Sequence, residues 1–287
     1  MFHNYHLRPM LLEEVGKIFQ SKDYLYEIKF DGFRVFIYAS KDEFVILSRN
    51  GHHITKHYPE LKSIQKIVGN HEIIFDGEII ATLNGLPSFR YLQKRSRVKR
   101  ISNQIINEIP VTFIAFDILY DNQDLTNFSL VERKKRLEKF RDTNYFVKSR
   151  SYHNGKKLFA MVKKLHLEGV VVKKRDSRYF FGERTSDWVK IKNIKVDNFL
   201  VHGYLEKTNT YSLLLGEYKK ETLNYVGKVS VNKKHDIIKK LKKLKKINNQ
   251  FVNFREDAIF VKPAYLVRVR FLERTNSGML RHATIDE

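Results

Sequence analysis

Cysteine is absent from this chain of 287 residues. That excludes disulfide staples, thiolate zinc sites and any mechanism built on a thiol nucleophile. A cysteine-free chain suits a reducing compartment. No stretch approaches the roughly 18 apolar residues of a membrane span. The opening segment MFHNYHLRPMLLEEV carries no export signal, lipidation signal or strongly amphipathic helix. The expectation is a cytoplasmic protein without a membrane partner. Internal repeats are also missing, and only one lysine tract approaches low complexity.

Acidic residues are scarce beside basic ones, with 32 Asp and Glu against 54 Lys and Arg and a formal net charge of +22. The excess is not confined to a tail: 35 basic residues face 22 acidic ones before position 194, and 19 face 10 from there on. Such a field concentrates polyanions and gives salt-sensitive attraction to phosphate backbones, so nucleic acid is the leading partner class. At 42% apolar and 13% aromatic residues, the chain can fill real cores in one large domain or two smaller ones.

Residues 24–85 read as short β-branched and aromatic runs broken by Gly, Asn and charged turns, with one helical stretch at 59–68. A strand is expected at 111–120, and helices at 130–140 and 156–167. Residues 90–106 suggest a short helix carrying Arg95, Arg97, Lys99 and Arg100, a cluster equally suited to solvent or to DNA. Strands return at 168–193. After a polar stretch, a second all-β pattern follows at 199–205, 211–218, 223–231 and 265–272. A lysine-faced helix over 233–246 interrupts it, with Ile237, Ile238, Leu241, Leu244 and Ile247 as its apolar stripe. That pattern suggests a small barrel of the oligonucleotide-binding type.

YEIKFDGFRVFIY, residues 26–38, is the most informative segment. If 26–31 is extended, Glu27, Lys29 and Asp31 share one face and Ile28 and Phe30 the other. Burying three ionisable groups on one wall is costly without a ligand. Gly32 permits a tight turn or close backbone approach, and Arg34 follows with a fork that could clamp an anion. By itself this alternation also fits an exposed, salt-bridged strand. It does not stand alone. In FDGE, residues 75–78, Asp76 and Glu78 share a face. In WVKIK, 188–192, Trp188, Lys190 and Lys192 share a face that suits phosphate contacts, while Val189 and Ile191 point inward. EGVVVKK, 168–174, opens a buried-looking strand with Glu168. Separated carboxylates among several cations are what Mg²⁺-assisted nucleotidyl transfer requires.

These segments resemble the covalent nucleotidyltransferase superfamily, and most closely its small ATP-dependent DNA ligases of bacterial and phage type. The first motif of that family, K-x-D-G-x-R, matches Lys29, Asp31, Gly32 and Arg34. Later ones match Ser48 to Gly51, Asp76 to Glu78, Glu168 with Gly169, and Trp188 with Lys190 and Lys192. FIAFDILY at 113–120 resembles the segment whose aromatic packs on adenine, here Phe116, and FFGERTSDW points to Arg184 as a phosphate contact. The ordered set covers nearly the whole chain.

The resemblance implies an α+β fold. A nucleotidyltransferase (adenylation) domain of antiparallel sheets with helices would occupy 1–194, and an OB-fold β-barrel domain 195–287. It implies ATP as nucleotide, with Mg²⁺ or Mn²⁺ as the metal, and nicked duplex DNA as the partner of a monomeric enzyme. Lys29 would carry AMP as a phosphoramidate. Glu27 and Phe116 fall to adenine, and Arg34, Arg49 and Glu78 to the ribose and its surroundings. Arg184, Lys190 and Lys192 fall to phosphates, and Glu78 and Glu168 to the metal. A free lysine titrates at about 10.4, so neighbouring cations and a metal are expected to favour the neutral amine. No separate DNA-binding region precedes the first motif, so clamping a duplex is expected from the two core domains. The chain stops where the terminal R-x-D-K motif of the family falls, with Arg281 and Asp286 as poor stand-ins, and slow self-adenylation is expected. Absence of a cysteine zinc finger and a nicotinamide-recognition region disfavours the NAD-dependent relatives. An RNA ligase or RNA-repair enzyme with the same chemistry stays open, as does a non-catalytic nucleic-acid-binding protein on this scaffold.

Overall fold

Two sheets, laid one over the other, build the first part of the protein. The computed structural model describes residues 1–275 and 277–286, which divide into a unit Met1–Asn193 and a unit Ile194–Glu287. In the first unit the strands are β1 (Leu11–Glu14), β2 (Tyr24–Lys29), β3 (Phe33–Ala39), β4 (Phe44–Ser48), β5 (Ile73–Leu83), β6 (Leu86–Pro87), β7 (Val111–Asp121), β8 (Phe146–Lys148), β9 (Gly169–Lys174) and β10 (Arg184–Lys192). Its helices are α1 (Gln65–Val68), α2 (Phe89–Ser96), α3 (Asn103–Glu108), α4 (Leu130–Leu137) and α5 (Gly155–Lys164). One sheet has the order β1-β10-β9-β2 and the other β4-β3-β5-β7-β8, with β6 paired to β5. Pairing is antiparallel except at two edges, where β1 runs parallel to β10 and β8 to β7.

Period-two alternation decides what each face does. On β3, Val35, Ile37 and Ala39 enter a core with Phe75, Phe113, Phe140 and Phe146, whereas Phe36 and Tyr38 enter a second layer with Leu25, Ile74, Leu119 and Trp188. That second layer lies between the two sheets, because Leu25 and Trp188 belong to one and Phe36, Ile74 and Leu119 to the other. The far side of the first sheet packs Tyr26, Val170, Val172, Val189 and Ile191 against Leu158 and Val162 of α5. The β2 alternation expected from sequence is therefore present: Tyr26 faces outward to α5, and Glu27 faces the other sheet.

Helices differ from the sequence reading mainly in length. The stretch at 59–68 is a 3₁₀ segment, Pro59–Ile64, running into α1. The single helix expected at 90–106 is two, α2 and α3, with Ser102 accepting from Ile105 N–H to start the second. Arg95 does not lie on an open face: it is fully buried, bonded to Glu60 at 3.0 and 3.1 Å. A capping box of Ser129 and Glu132 starts α4.

The second unit comprises β11 (Lys195–Glu206), β12 (Thr210–Lys219), β13 (Thr222–Asn232), α6 (Asp236–Lys242), β14 (Ile259–Phe271), β15 (Glu273–Arg274), β16 (Leu280–Arg281) and β17 (Thr284–Ile285). Its five-stranded sheet has the order β13-β12-β11-β14-β17. Register shifts at Val201/Gly203 and Leu215/Gly216 bend it, and β17 comes back alongside β13. Inside are Phe199, Leu213, Val229, Val269 and Phe271, closed at one side by Ile237, Ile238 and Leu241 of α6. This is the small barrel expected from sequence. The lysine helix is shorter than the expected 233–246. Lysines at spacings of three and four repel along its continuation, and the Ile247 N–H pairs with the Phe260 carbonyl at 3.1 Å, drawing the chain onto β14.

Candidate active site

Chain direction creates the site at one point: β2 ends at Lys29 in one sheet, and four residues later β3 begins in the other. Gly32 makes that crossing possible, since a Cβ there would lie 2.2 Å from the Ile79 carbonyl oxygen and 2.8 Å from Glu78 Cγ. The turn after Lys29 thus presses directly on β5. Between the sheets opens a pocket lined by Leu12, Glu27, Lys29, Val171, Lys173 and Trp188 from one sheet and by Arg34, Glu78 and Phe116 from the other, with Ile28 and Phe30 at the crossing.

Lys29 reaches Glu168 Oε1 with its Nζ at 2.5 Å. Both side chains are mostly covered, at 19% and 11% exposure. Across the ladder Lys29 stands opposite Gly169, which stands opposite Lys192. A Cβ on Gly169 would meet the Ile191 carbonyl oxygen at 2.2 Å, so only glycine lets β9 lie this close to β10 beside the lysine. Lys190 and Lys192 share Lys29's sheet face, but in this structure they turn to Glu14 at 3.4 and 2.8 Å and lie outside the pocket lining. Their charge holds the Glu14 carboxyl below its ordinary range, outweighing the opposite push of burial.

Glu78 lines the opposite wall. Burial, opposed by Lys29 and Arg34 and reinforced by Glu168 and Asp76, pushes its carboxyl up to about 8. Glu78 and Glu168 are therefore two carboxyl groups beside one amine whose negative charges, if both ionised, would repel one another. A divalent cation relieves such repulsion, and Mg²⁺ is satisfied by one or two carboxylates supplemented with phosphate oxygens. Among the described residues no three His, Asp or Glu side chains gather as a metal site; two carboxyls match Mg²⁺ where phosphate oxygens complete its shell.

Arg34 braces the wall and is not an open clamp. Its Nε and Nη2 donate to Asp76 at 3.0 and 2.6 Å, its Nη1 to the Met10 carbonyl at 2.7 Å, and Nη2 also reaches the Tyr179 hydroxyl at 3.3 Å. Tyr179 in turn donates to Asp76 at 2.7 Å. These three groups supply most of one another's hydrogen bonds, and Met10 completes the set through its carbonyl and its N–H. Arg34 also stacks 5.3 Å from the Phe116 ring centre.

Phe116 owes its orientation to a bulge. In the β5/β7 ladder Asp76 faces Asp117 and the next residue, Gly77, faces Ala115, so Phe116 is the extra residue. A bulge re-aims a side chain, and this one turns Phe116 into the pocket. The Nζ of Lys173 sits over its ring at 4.4 Å and over Trp188 at 4.3 Å. Glu27 lies at the pocket's inner end, 2% exposed. Its Oε1 meets Lys134 Nζ at 2.5 Å and accepts from Ser151 at 3.4 Å; its Oε2 accepts from Lys173 at 3.1 Å and from Ser149 at 3.0 Å. Burial alone would raise the Glu27 carboxyl, but the two lysines outweigh it and hold it low. Lys173 is pushed down to about 8, mainly by burial.

Two expected residues lie apart. Arg49 sits exposed in the turn after β4, its backbone N–H donating to the Arg34 carbonyl at 3.1 Å. Arg184, the exposed first residue of β10, donates to the Leu12 carbonyl at the sheet edge. Sequence reading missed Lys134, Lys173 and Tyr179. Alternation along β9 puts Lys173 on the face of Gly169 and Val171 and could have found it. No local pattern announces Lys134, which arrives from a helix packed under β7.

Against known proteins, the profile of the ATP dependent DNA ligase domain matches residues 9–192, and that of the ATP dependent DNA ligase C terminal region matches 206–287. The multifunctional non-homologous end joining protein LigD of Mycolicibacterium smegmatis is 33% identical over 292 aligned positions, covering 95% of this chain and 37% of that protein. The SPbeta prophage-derived DNA ligase-like protein LigB of Bacillus subtilis is 30% identical, covering 69% of this chain and 72% of its own length. The chain thus spans little more than a third of the LigD proteins it matches. Among solved structures, mycobacterial DNA ligase D complexed with ATP and MES superposes with a TM-score of 0.62 at 27% identity, over 98% of this chain and 94% of that one. With both profiles matched in order and the paired-sheet pocket built around Lys29, the chain belongs to the ATP-dependent DNA ligase family.

Proposed function

We propose that this protein seals 5′-phosphate/3′-hydroxyl nicks in duplex DNA, using ATP and a covalent AMP on Lys29, and that it works as a monomer in the cytoplasm. The carrying observation is the lysine amine held at 2.5 Å by Glu168 at the edge of an aromatic-lined pocket whose far wall holds Glu78. ATP is the substrate of the first step. The Lys29 Nζ attacks the α-phosphorus, a P–N bond forms, the bond to the β-phosphate oxygen breaks, pyrophosphate leaves, and the amine proton passes to solvent. Phe116 and Val171 offer apolar surfaces for a base, and Glu27 offers a carboxylate to its edge. Glu78 and Glu168 are the residues that would hold Mg²⁺, which supplies positive charge to the phosphates. On the family resemblance, Arg184, Lys190 and Lys192 are assigned to phosphates, and Arg49 and Arg34 to the ribose side.

In the second step the AMP passes to the 5′-phosphate of a nick. The 3′-hydroxyl then attacks that phosphate and AMP leaves. Binding the duplex falls to the charge of both parts, the adenylation domain at 1–194 and the OB-fold domain at 195–287. The test is incubation with α-labelled ATP and Mg²⁺: acid-labile label on the protein that Lys29→Ala abolishes, followed by sealing of a nicked duplex. Label that persists in the variant, or that never appears, refutes the assignment. Faster sealing of nicks with ribose on both strands would move the substrate from DNA to RNA.

A further inference from the structure

We infer that Lys134 and Lys173 are positioning residues for nucleotide selection: by holding Glu27 as an anion at the inner end of the pocket, they make the site prefer a purine bearing a 6-amino group over one bearing a 6-oxo group. The inference rests on the reading that the pocket between the sheets takes a nucleoside triphosphate.

The slot has an aromatic wall, Phe116, a branched apolar wall, Val171, and, beside both, the almost fully buried Glu27 carboxyl paired with Lys173. Val171 and Glu27 are direct ladder partners on β9 and β2, so wall and end are fixed to one another by backbone pairing. Stacking on an aromatic face accepts any base. Discrimination therefore falls to the polar group at the end, and its protonation state decides the answer. A carboxylate only accepts hydrogen bonds, whereas a carboxylic acid also donates one. The anion matches an exocyclic amine and repels a 6-oxo group; the acid matches the 6-oxo group.

A carboxyl that is 2% exposed is costly to ionise unless paired. Here each oxygen meets one lysine, Lys134 at 2.5 Å and Lys173 at 3.1 Å. Ser149, Ser151 and Lys173 supply three hydrogen-bond donors for about four lone-pair positions, with the Lys134 Nζ beside Oε1 as a charge contact. The Ser151 hydroxyl, at 3.4 Å, is the longest of these contacts and a free rotor; when it turns away, Oε1 gains a position for a base N–H. Lys134 does little else: among the described residues Glu27 is the one carboxylate it meets, from a side chain 10% exposed. Lys173 also donates to the Phe116 carbonyl at 3.3 Å and caps the rings of Phe116 and Trp188, tying the charge at the slot's end to the position of its aromatic wall.

The test uses the full chain and compares covalent labelling by ATP and ITP, which differ at position 6. In the parent protein ATP is expected to label faster. Lys134→Met, and separately Lys173→Met, should lower the ATP/ITP ratio of kcat/KM by about tenfold or more, the scale of one charged hydrogen bond. The change should lie in KM, with ITP labelling rising in absolute terms. Lys134→Arg should restore the ratio. If both nucleotides fall together and the ratio holds, the lysines are only structural and the inference fails while the ligase reading stands. Equal labelling of the parent by ATP and ITP also defeats it. No labelling by any nucleotide defeats the underlying reading itself.

Discussion

Removing Asp76 from its buried network should destabilise the first unit severely, and removing Arg34 with it should restore much of the loss. Asp76 is fully buried and accepts three bonds, two from Arg34 at 3.0 and 2.6 Å and one from Tyr179 at 2.7 Å. Asp76→Leu strands a guanidinium whose side chain is 14% exposed and leaves the Tyr179 hydroxyl without its acceptor. Breaking a buried ion pair from one side costs about 3–5 kcal/mol. For a unit of this size about 1 kcal/mol shifts Tm by roughly 2–4 °C, so a drop of about 6–20 °C is expected. Arg34→Met should cost a similar amount for the mirror reason, an unpaired buried carboxylate. The double variant Arg34→Met/Asp76→Leu removes both charges together, and replacing a buried pair by packed apolar residues is often nearly neutral. A double-mutant cycle by urea denaturation should thus return a coupling on the order of 2 kcal/mol or more. Singles that add within about 0.5 kcal/mol refute the network as an interdependent unit. Adenylation should track the cycle only partly, because Arg34 is also the ladder partner of Glu78 and packs on Phe116.

A second expectation concerns pH. An unfolded glutamate titrates near about 4.3, whereas burial lifts Glu78 to about 8 in the fold. Between those values the folded state holds the extra proton, so this group makes stability fall as pH rises through that window. Glu78→Gln should flatten the pH dependence of urea midpoints there, and an unchanged slope would contradict the assignment. A third concerns backbone packing beside Lys29. Gly169→Ala places a methyl 2.2 Å from the Ile191 carbonyl oxygen and 3.0 Å from Lys192 Cα, neither of which can rotate away. Overpacking costs about 1–3 kcal/mol, and both Tm and adenylation should fall. Gly16→Ala, where nothing lies within 4 Å, serves as the control, and equal behaviour of the two would overturn the argument.

The parts legible in the sequence are those written in period two. Alternation through 26–30, 75–78 and 188–192 correctly sorts Glu27, Lys29, Glu78, Trp188, Lys190 and Lys192 from their inward neighbours, because each lies on a strand between two packed layers. The barrel strands were readable for the same reason, and α6 from the helical spacing of Ile237, Ile238 and Leu241. What failed to show was whatever depends on a partner far along the chain. Arg34's fork is closed by a residue 42 positions away and Glu27's oxygens by residues up to 146 away. The buried Arg95 looked like a surface cation because its acceptor, Glu60, is 35 residues distant. Bulges are likewise invisible to alternation: Phe116 came from the resemblance, and no local pattern marks the one-position mismatch with β5 that turns it into the pocket.

Placing the pocket in the seam between two sheets separates its width from its chemistry. Lys29 sits at the crossing of β2 and β3, but the two sheets are spaced, away from the pocket lining, by Leu25, Phe36, Tyr38 and Leu119. Those side chains act as spacers. Trading one for a larger or smaller residue is a way to tune the molecule toward nucleotide analogues with bulkier or slimmer bases while Lys29, Glu78 and Glu168 remain as they are, which makes the interlayer the natural first library for redesign.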